Sequence, residues 1–427
     1  MTKLGGGEQI KKKPTEFRHV LHRHHLIIIG SDLIQEQIDE MSKFENIEAL
    51  EISCGWDFGS AIVSGERLGT LNGINFNKFS NTESLEELFI QGLDGTIDLS
   101  PFTQPSSIII DVGTDPHLCD SYNPYVIFPE SSCLDRLLIH GNVEHDRKTL
   151  PLLPNLKSIT YHSLRETDLS WLNSSKSITH IRIVRWVPEN VILPSISSLE
   201  SISFVGWRKR DPTTLKMVDL SPLRVSKGLR EVSFLRQNIS EIDFSPLSAC
   251  AGLERIRISQ CNLGEVDLTP LEQMNLRDIN LAGNRIHKIV FPRELKCECF
   301  DVSRNELQRI NLSRFSSSVL RELNLGANPL VDIDLTPLSA CVNLEKLEME
   351  HTQLDSIDLT LLAGQEHLSV FRIKSRFMSE IDVTPLLSCP TLDEVKLGKI
   401  KPIADSRKSD EIASPRLKKM RKKITWY

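Results

Sequence analysis

The sequence predicts an α/β solenoid: a horseshoe with a concave parallel β-sheet and short helical or 3-10 turns on its convex side. Three observations carry this. An L-x-x-L-x-L pattern returns about fifteen times, mostly every 23–24 residues. A second apolar group, written Ile-Asp-Leu-[Ser/Thr]-Pro-Leu in its fullest form, follows many of these strands. The chain has 427 residues, more than the roughly 300 at which a single globular core stops growing, and a repeat array escapes that limit.

The strands come first. Leu229-x-x-Val232-x-Phe234 recurs as Leu253/Ile256/Ile258, Leu276/Ile279/Leu281, Leu320/Leu323/Leu325, Leu344/Leu347/Met349, Leu368/Phe371/Ile373 and Leu392/Val395/Leu397, with a short unit near Cys297. Looser units start at Ile47, Leu85, near Pro105, and at Leu134, Leu156, Ile178 and Leu199, with Leu26–Ile29 as a leading strand. Period-2 alternation sends the apolar pair inward and the residues between them outward. Leu323 and Leu325 are therefore expected inside.

The turns come second. In Ile242-Asp243-Phe244-Ser245-Pro246-Leu247 and Ile333-Asp334-Leu335-Thr336-Pro337-Leu338, Ser or Thr is placed to cap a helical turn, with Pro at its first position. No unit buries its own apolar face, so each must stack on its neighbours. Asp98, Asp219, Asp243, Asp267, Asp334, Asp358 and Asp382 form a column. One carboxylate per unit supplies too few oxygens for calcium, so each is expected to accept backbone N–H bonds. Cys250, Cys341 and Cys389 recur at one place and read as small core residues.

These residues resemble the leucine-rich repeat family. The L-x-x-L-x-L-x-x-N-x-L signature fits Leu276 to Ile286 with Asn284, and Leu320 to Leu330 with Asn328; Asn305 and Cys261 take the same column. The Ile-Asp-Leu-[Ser/Thr]-Pro-Leu variant is most similar to archaeal members. The resemblance implies the horseshoe fold, with the Asn or Cys ladder bonding backbone groups of the loop after each strand. The column also holds Gln237, Thr352 and Arg376, and earlier Leu164, Trp186 and Trp207.

The expected organisation is a basic, His-containing segment 1–25, an array over 26–398 (irregular 26–228, regular 229–398) and a basic cap or tail 399–427. The net charge of −6 is uneven: +4 over residues 1–25, +7 over 399–427, and −17 over the body between them. An acidic body suits nucleic acid poorly. Nine cysteines without a paired framework, and no apolar signal segment near the N-terminus, point to a reducing, cytoplasmic setting. No apolar run approaches the roughly 20 residues of a membrane span.

Three longer units fall in the first half: 38 residues from Ile47, 29 from near Pro105 and 30 from Leu199. The first could hide a degenerate unit around Leu71–Phe79. Outward positions and inserts in this half give a partner-binding patch of Arg136, His140, His162, His180, Arg182, Trp186, Trp207, Arg208, Lys209 and Arg210. His140 and His162 hold equivalent places on adjacent units, about 5 Å apart, and both are expected to gain charge toward pH 6.5. A later stretch, Asp278, Asn280, Asp301, Ser303, Glu322 and Asn324, reads as acidic and polar. The segment His19-Val-Leu-His-Arg-His-His25 lacks the Cys or second His pair of a zinc site. No P-loop, GxGxxG, GxSxG or HExxH motif occurs. No cofactor or metal is expected. The expected function is a non-enzymatic, monomeric scaffold for a protein partner, with an acidic surface suited to the patch. The alternative is an adaptor that meets anionic membrane or nucleic acid through its basic ends, the C-terminal one read as a helix with Leu417, Met420 and Ile424 on one face.

Overall fold

The computed structural model describes residues 18–22, 25–30, 39, 49–54, 76, 84–91, 96–111, 125–130, 133–141, 144–145, 153–162, 167–185, 187–206, 215–315 and 319–427. They fall into two compact units, Met1–Trp207 and Arg208–Tyr427.

In the first unit β1 (Arg18–His22) runs antiparallel to β2 (His25–Gly30). Parallel pairing then carries β2 through β3 (Ala49–Cys54), β4 (Glu87–Gln91), β5 (Ser107–Asp111), β6 (Arg136–His140), β7 (Ser158–His162), β8 (His180–Val184) and β9 (Ser201–Val205). β3 pairs directly with β4; the degenerate unit considered around Leu71–Phe79 lies, apart from Phe76, outside the described residues. Phe76, from that stretch, is fully buried with its ring 5.5 Å from Phe102. β1 lies inside the segment expected to precede the array, and as the antiparallel partner of β2 it covers an edge that would otherwise offer unpaired backbone groups.

The second unit repeats the pattern through β10 (Glu231–Leu235), β11 (Arg255–Ser259), β12 (Asn275–Asn280), β13 (Lys296–Asp301), β14 (Glu322–Asn324), β15 (Lys346–Thr352), β16 (Val370–Ser375) and β17 (Glu394–Lys396), all parallel and in chain order. Alternate strand residues are buried as expected: Leu323 and Leu325 are fully inside.

The second apolar group forms 3-10 turns, among them Ser221–Val225, Ser245–Ala249, Thr336–Ala340 and Thr384–Ser388. Ser or Thr does not cap the turn as expected but is its first residue, with Pro second; the acceptor is the Asp two residues earlier, as expected for that column. Asp219, Asp243, Asp334 and Asp358 accept from the backbone N–H of Ser221, Ser245, Thr336 and Thr360, each at 2.8 Å. Asn311 does the same for Ser313. A short side chain that bonds two residues ahead fixes the turn locally.

The ladder column is also built. Asn305 Oδ1 accepts from Ile286 N–H at 2.9 Å, and its Nδ2 donates to the carbonyls of Leu281 and Val302 at 3.0 and 2.9 Å. Asn284 and Asn328 repeat this. Gln237 serves in the same way: it accepts from Leu215 N–H and donates to the Leu235 carbonyl. Arg376, expected in the column, is displaced: the register shifts within β15, so buried Ser375 makes the bonds, to the Leu354 carbonyl and from Phe377 N–H. The residue before the ladder position turns the chain at positive φ, 57° at Arg304 and 53° at Ala327, and each donates its N–H to the next repeat.

The C-terminal segment closes the second unit. Strand Lys401–Ala404 pairs with Glu380–Asp382 and with Thr425–Trp426. Helix α1 (Pro415–Met420) starts on Ser414, which is fully buried; its hydroxyl donates to the Leu392 carbonyl and accepts from Leu417 N–H. Ile424 is buried too, but through a 3-10 turn, Arg421–Lys423, rather than on the helix face expected for it.

Candidate protein-binding face

The outward residues of each sheet form rows that run across the strands. In the first unit one row holds Glu87, Ser107, Arg136, Ser158, His180 and Ser201. The middle row holds Glu51, Phe89, Ile109, Leu138, Thr160, Arg182 and Ser203. The third holds Gln91, Asp111, His140, His162, Val184 and Val205. The expected patch residues Arg136, His140, His162, His180 and Arg182 thus share one face on three adjacent strands. Trp186, Trp207, Arg208, Lys209 and Arg210 lie outside the described residues.

The imidazoles of His140 and His162 stack, with ring centroids 4.1 Å apart and planes inclined by 34°. Asp111 approaches from the next strand, its Oδ2 3.6 Å from His140 Nδ1. Burial, then the neighbouring His140, Arg185 and Arg182, hold His162 down at about 4. It therefore stays neutral at pH 6.5, against the expectation that both rings gain charge there. His180 is exposed and its Nδ1 lies 2.8 Å from Thr179 Oγ1. Arg136, also exposed, leans on Asp135 at 3.3 Å. Among the described residues Arg182 has no ion-pair partner.

Phe89, Ile109 and Leu138 lie outside the expected patch. They stand at outward positions on consecutive strands and are partly exposed. Their signal was present in the strands ELFIQ, SIIID and RLLIH, where three apolar residues follow one another although alternation needs only two inside.

The equivalent face of the second unit is different. It is not simply acidic, because cations thread between its carboxylates. Arg257 sits 2.6 Å from Asp278 and 3.5 Å from Glu231. Lys346 reaches Glu348 at 3.0 Å and Glu322 at 3.9 Å. Arg372 joins Glu348 to Glu394, and Lys396 adds a 2.7 Å contact to Glu394. Hydrogen bonds from Arg372 and Lys396 hold the Glu394 carboxyl down at about 2. An open groove of about 420 Å³ beside this face is lined by Glu298, Val319, Arg321, Asn343, Glu345 and His367, and Arg321 spends its charge there on Glu345 at 2.7 Å.

The buried thiols are structural. Cys250, Cys341 and Cys389 are buried and donate to the Leu223, Phe315 and Leu362 carbonyls. Burial pushes Cys261 up to about 12 and Cys341 up to about 11, far from the thiolate that nucleophilic chemistry needs. No group of three or more His, Cys, Asp or Glu among the described residues could hold a metal ion. No helix among them is long and apolar enough to cross a membrane.

Comparisons with known proteins agree with this architecture. Residues 284–407 match the BspA type leucine rich repeat region in 6 copies. A leucine-rich repeat protein of Leptospira interrogans superimposes with a TM-score of 0.53 at 14% identity, over 84% of this chain and 81% of that one. The Toll–Spätzle complex of Drosophila matches with a TM-score of 0.54 at 11% identity, over 98% of this chain and 56% of that one. An internalin of Listeria monocytogenes matches with a TM-score of 0.46 at 19% identity, over 85% and 88%. No curated protein matches the sequence. The fold is the leucine-rich repeat solenoid.

Proposed function

We propose that the chain is a non-catalytic scaffold, and that a protein partner docks on the sheet face of its first unit. The observation that supports this is the contrast between the two faces. In the second unit, outward charges neutralise one another from strand to strand. In the first, the middle row is apolar at Phe89, Ile109 and Leu138 and further along carries Arg182, which has no ion-pair partner among the described residues. Exposed apolar area of this kind, rimmed by polar groups, marks recognition surfaces, and Arg and aromatic residues give large losses when removed from them. The Drosophila structure similar in fold is itself a complex. The buried, protonated thiols suit a reducing compartment, so we place the protein in the cytoplasm, as a monomer until it meets its partner. The archaeal likeness rests on the Ile-Asp-Leu-[Ser/Thr]-Pro-Leu variant alone.

The rival reading through the basic ends has less support at the C-terminus. Leu417 and Ile424 are buried in closing the last repeat, so neither is available to insert beside the exposed Lys418, Lys419, Lys422 and Lys423. A salt titration separates the two, since phosphate-driven binding weakens steeply with salt.

The test is capture of the native partner by crosslinking with the full chain and its variants. Arg182→Glu, and Trp207→Ala with Arg208→Ala, should each weaken capture at least tenfold with the melting temperature unchanged. Capture that survives both but is lost in Glu322→Arg moves the site to the second unit and defeats this reading.

A further inference from the structure

We infer that the partner presents an amphipathic helix, lying across the strands of the first unit along its middle row; this rests on that face being the docking surface. Strand register places Glu51, Phe89, Ile109, Leu138, Thr160 and Arg182 side by side on six consecutive strands. This stretch of the row, which register places between Ile27 and Ser203, has a carboxylate at one end, an apolar centre and a guanidinium at the other. The corresponding row of the second unit includes Arg257, Asn280, Asp301, Asn324 and Glu348, so this sheet architecture does not require apolar side chains there.

The spacing selects a helix. Neighbouring strands lie about 4.8 Å apart, so five steps from Glu51 to Arg182 span about 24 Å. A helix rises about 1.5 Å per residue, and alternating steps of three and four along one face take about 17 residues, or roughly 25.5 Å, for the same five steps. The mismatch stays under about 2 Å over the whole row. An extended peptide laid the same way advances about 6.7 Å per same-face pair and falls out of step by about 9 Å.

Charge sets the direction. A helix with a carboxylate near its N-terminus and an ammonium near its C-terminus is favoured by its own dipole. Laid with the carboxylate on Arg182 and the ammonium on Glu51, such a helix meets Leu138, Ile109 and Phe89 with apolar residues at i+7, i+10 and i+14.

The probe is a capped helical peptide of about 18 residues with Glu at i, Ala at i+3, Leu at i+7, i+10 and i+14, and Lys at i+17, following one helix face. The control exchanges only the Glu and the Lys. To satisfy its charges it must turn round, which sets Ala against Phe89 and Leu against Thr160. Fluorescence anisotropy with the full chain should give a Kd at least tenfold lower for the probe than for the control. Ile109→Glu should abolish binding, and Glu51→Arg with Arg182→Glu should reverse the preference. Equal affinities, or no binding of either peptide, overturn the helix. In that case loss of native partner capture in Ile109→Glu leaves the docking face standing, and unchanged capture removes that reading as well. A fall of several degrees in the melting temperature of Ile109→Glu overturns both, because the row would then be covered by the chain itself.

Discussion

A single ladder residue does the work of several backbone groups. Asn305 bonds one N–H and two carbonyls that are buried with it; Ala would orphan the Ile286 N–H, while the Leu281 and Val302 carbonyls would each keep one donor, from Asn284 and Asn328. An orphaned buried group costs about 1–3 kcal/mol, so Asn305→Ala should lower stability by about 1–3 kcal/mol in urea unfolding. Leu325→Ala should cost a similar 2–5 kcal/mol through the cavity it leaves; a loss below about 1 kcal/mol would mean Leu325 faces outward. His162 gives a different signature. Its folded value of about 4 lies below the ordinary 6.5, so the unfolded chain takes up this proton first. Its neutral ring favours the fold above about pH 6.5, and that advantage is lost as pH falls toward 4. NMR titration should give His162 a midpoint near 4, and His162→Gln should flatten the decline in melting temperature between pH 6.5 and 4.5. A midpoint at 6 or above would refute the burial argument.

At the scale of the element, the 3-10 turns are set by one carboxylate each, and that makes them acid-sensitive. Hydrogen bonds from Ser221, Ser245, Thr336 and Thr360 hold Asp219, Asp243, Asp334 and Asp358 below the ordinary carboxylate value. A depressed folded value means stability that is present above the unfolded value near 3.9 and is lost as pH falls through the folded one. Asn keeps the acceptor and removes the titration, as Asn311 does naturally. Changing all four to Asn should leave the melting temperature near pH 7 within a few degrees and reduce its fall between pH 4.5 and 2.5. An unchanged acid profile would show that these turns do not govern acid unfolding. The elements were legible in the sequence because the repeat prints the same physics many times: Leu323 and Leu325 point inward in every reading of the alternation. The exceptions were not. A register shift in β15 hands the ladder to Ser375 instead of Arg376, and such a shift leaves no mark on spacing. The apolar row is not legible in the sequence, because Phe89, Ile109 and Leu138 look like more core until register assigns them a face. His162 was found by position, but its neutrality depends on burial and on Arg182 and Arg185 nearby, which spacing does not report.

At the scale of the whole molecule, stability in a repeat protein is a sum over units and the interfaces between them, so the ends carry a cost that the middle does not. The last repeat is closed by named contacts. Ala413 and Ser414 donate their N–H groups to the Leu387 carbonyl, Ser414 Oγ and Arg416 N–H donate to the Leu392 carbonyl, and Leu417 is fully buried. Tyr427 closes the end by donating its hydroxyl to Asp382 at 3.0 Å, and its backbone N–H to the Ala404 carbonyl. Removing residues 414–427 would expose Leu387 and Leu392, both now 2% exposed or less, together with their carbonyls. The truncated chain should melt at a lower temperature and associate in light scattering, because an uncovered repeat end is an apolar edge ready to pair. Leu417→Asp in the full chain should give the same outcome in weaker form, and Lys418→Glu with Lys422→Glu should not. If instead the lysine pair reproduces the loss and Leu417→Asp does not, charge rather than apolar closure holds the end, and the cap would have to be understood as an electrostatic device.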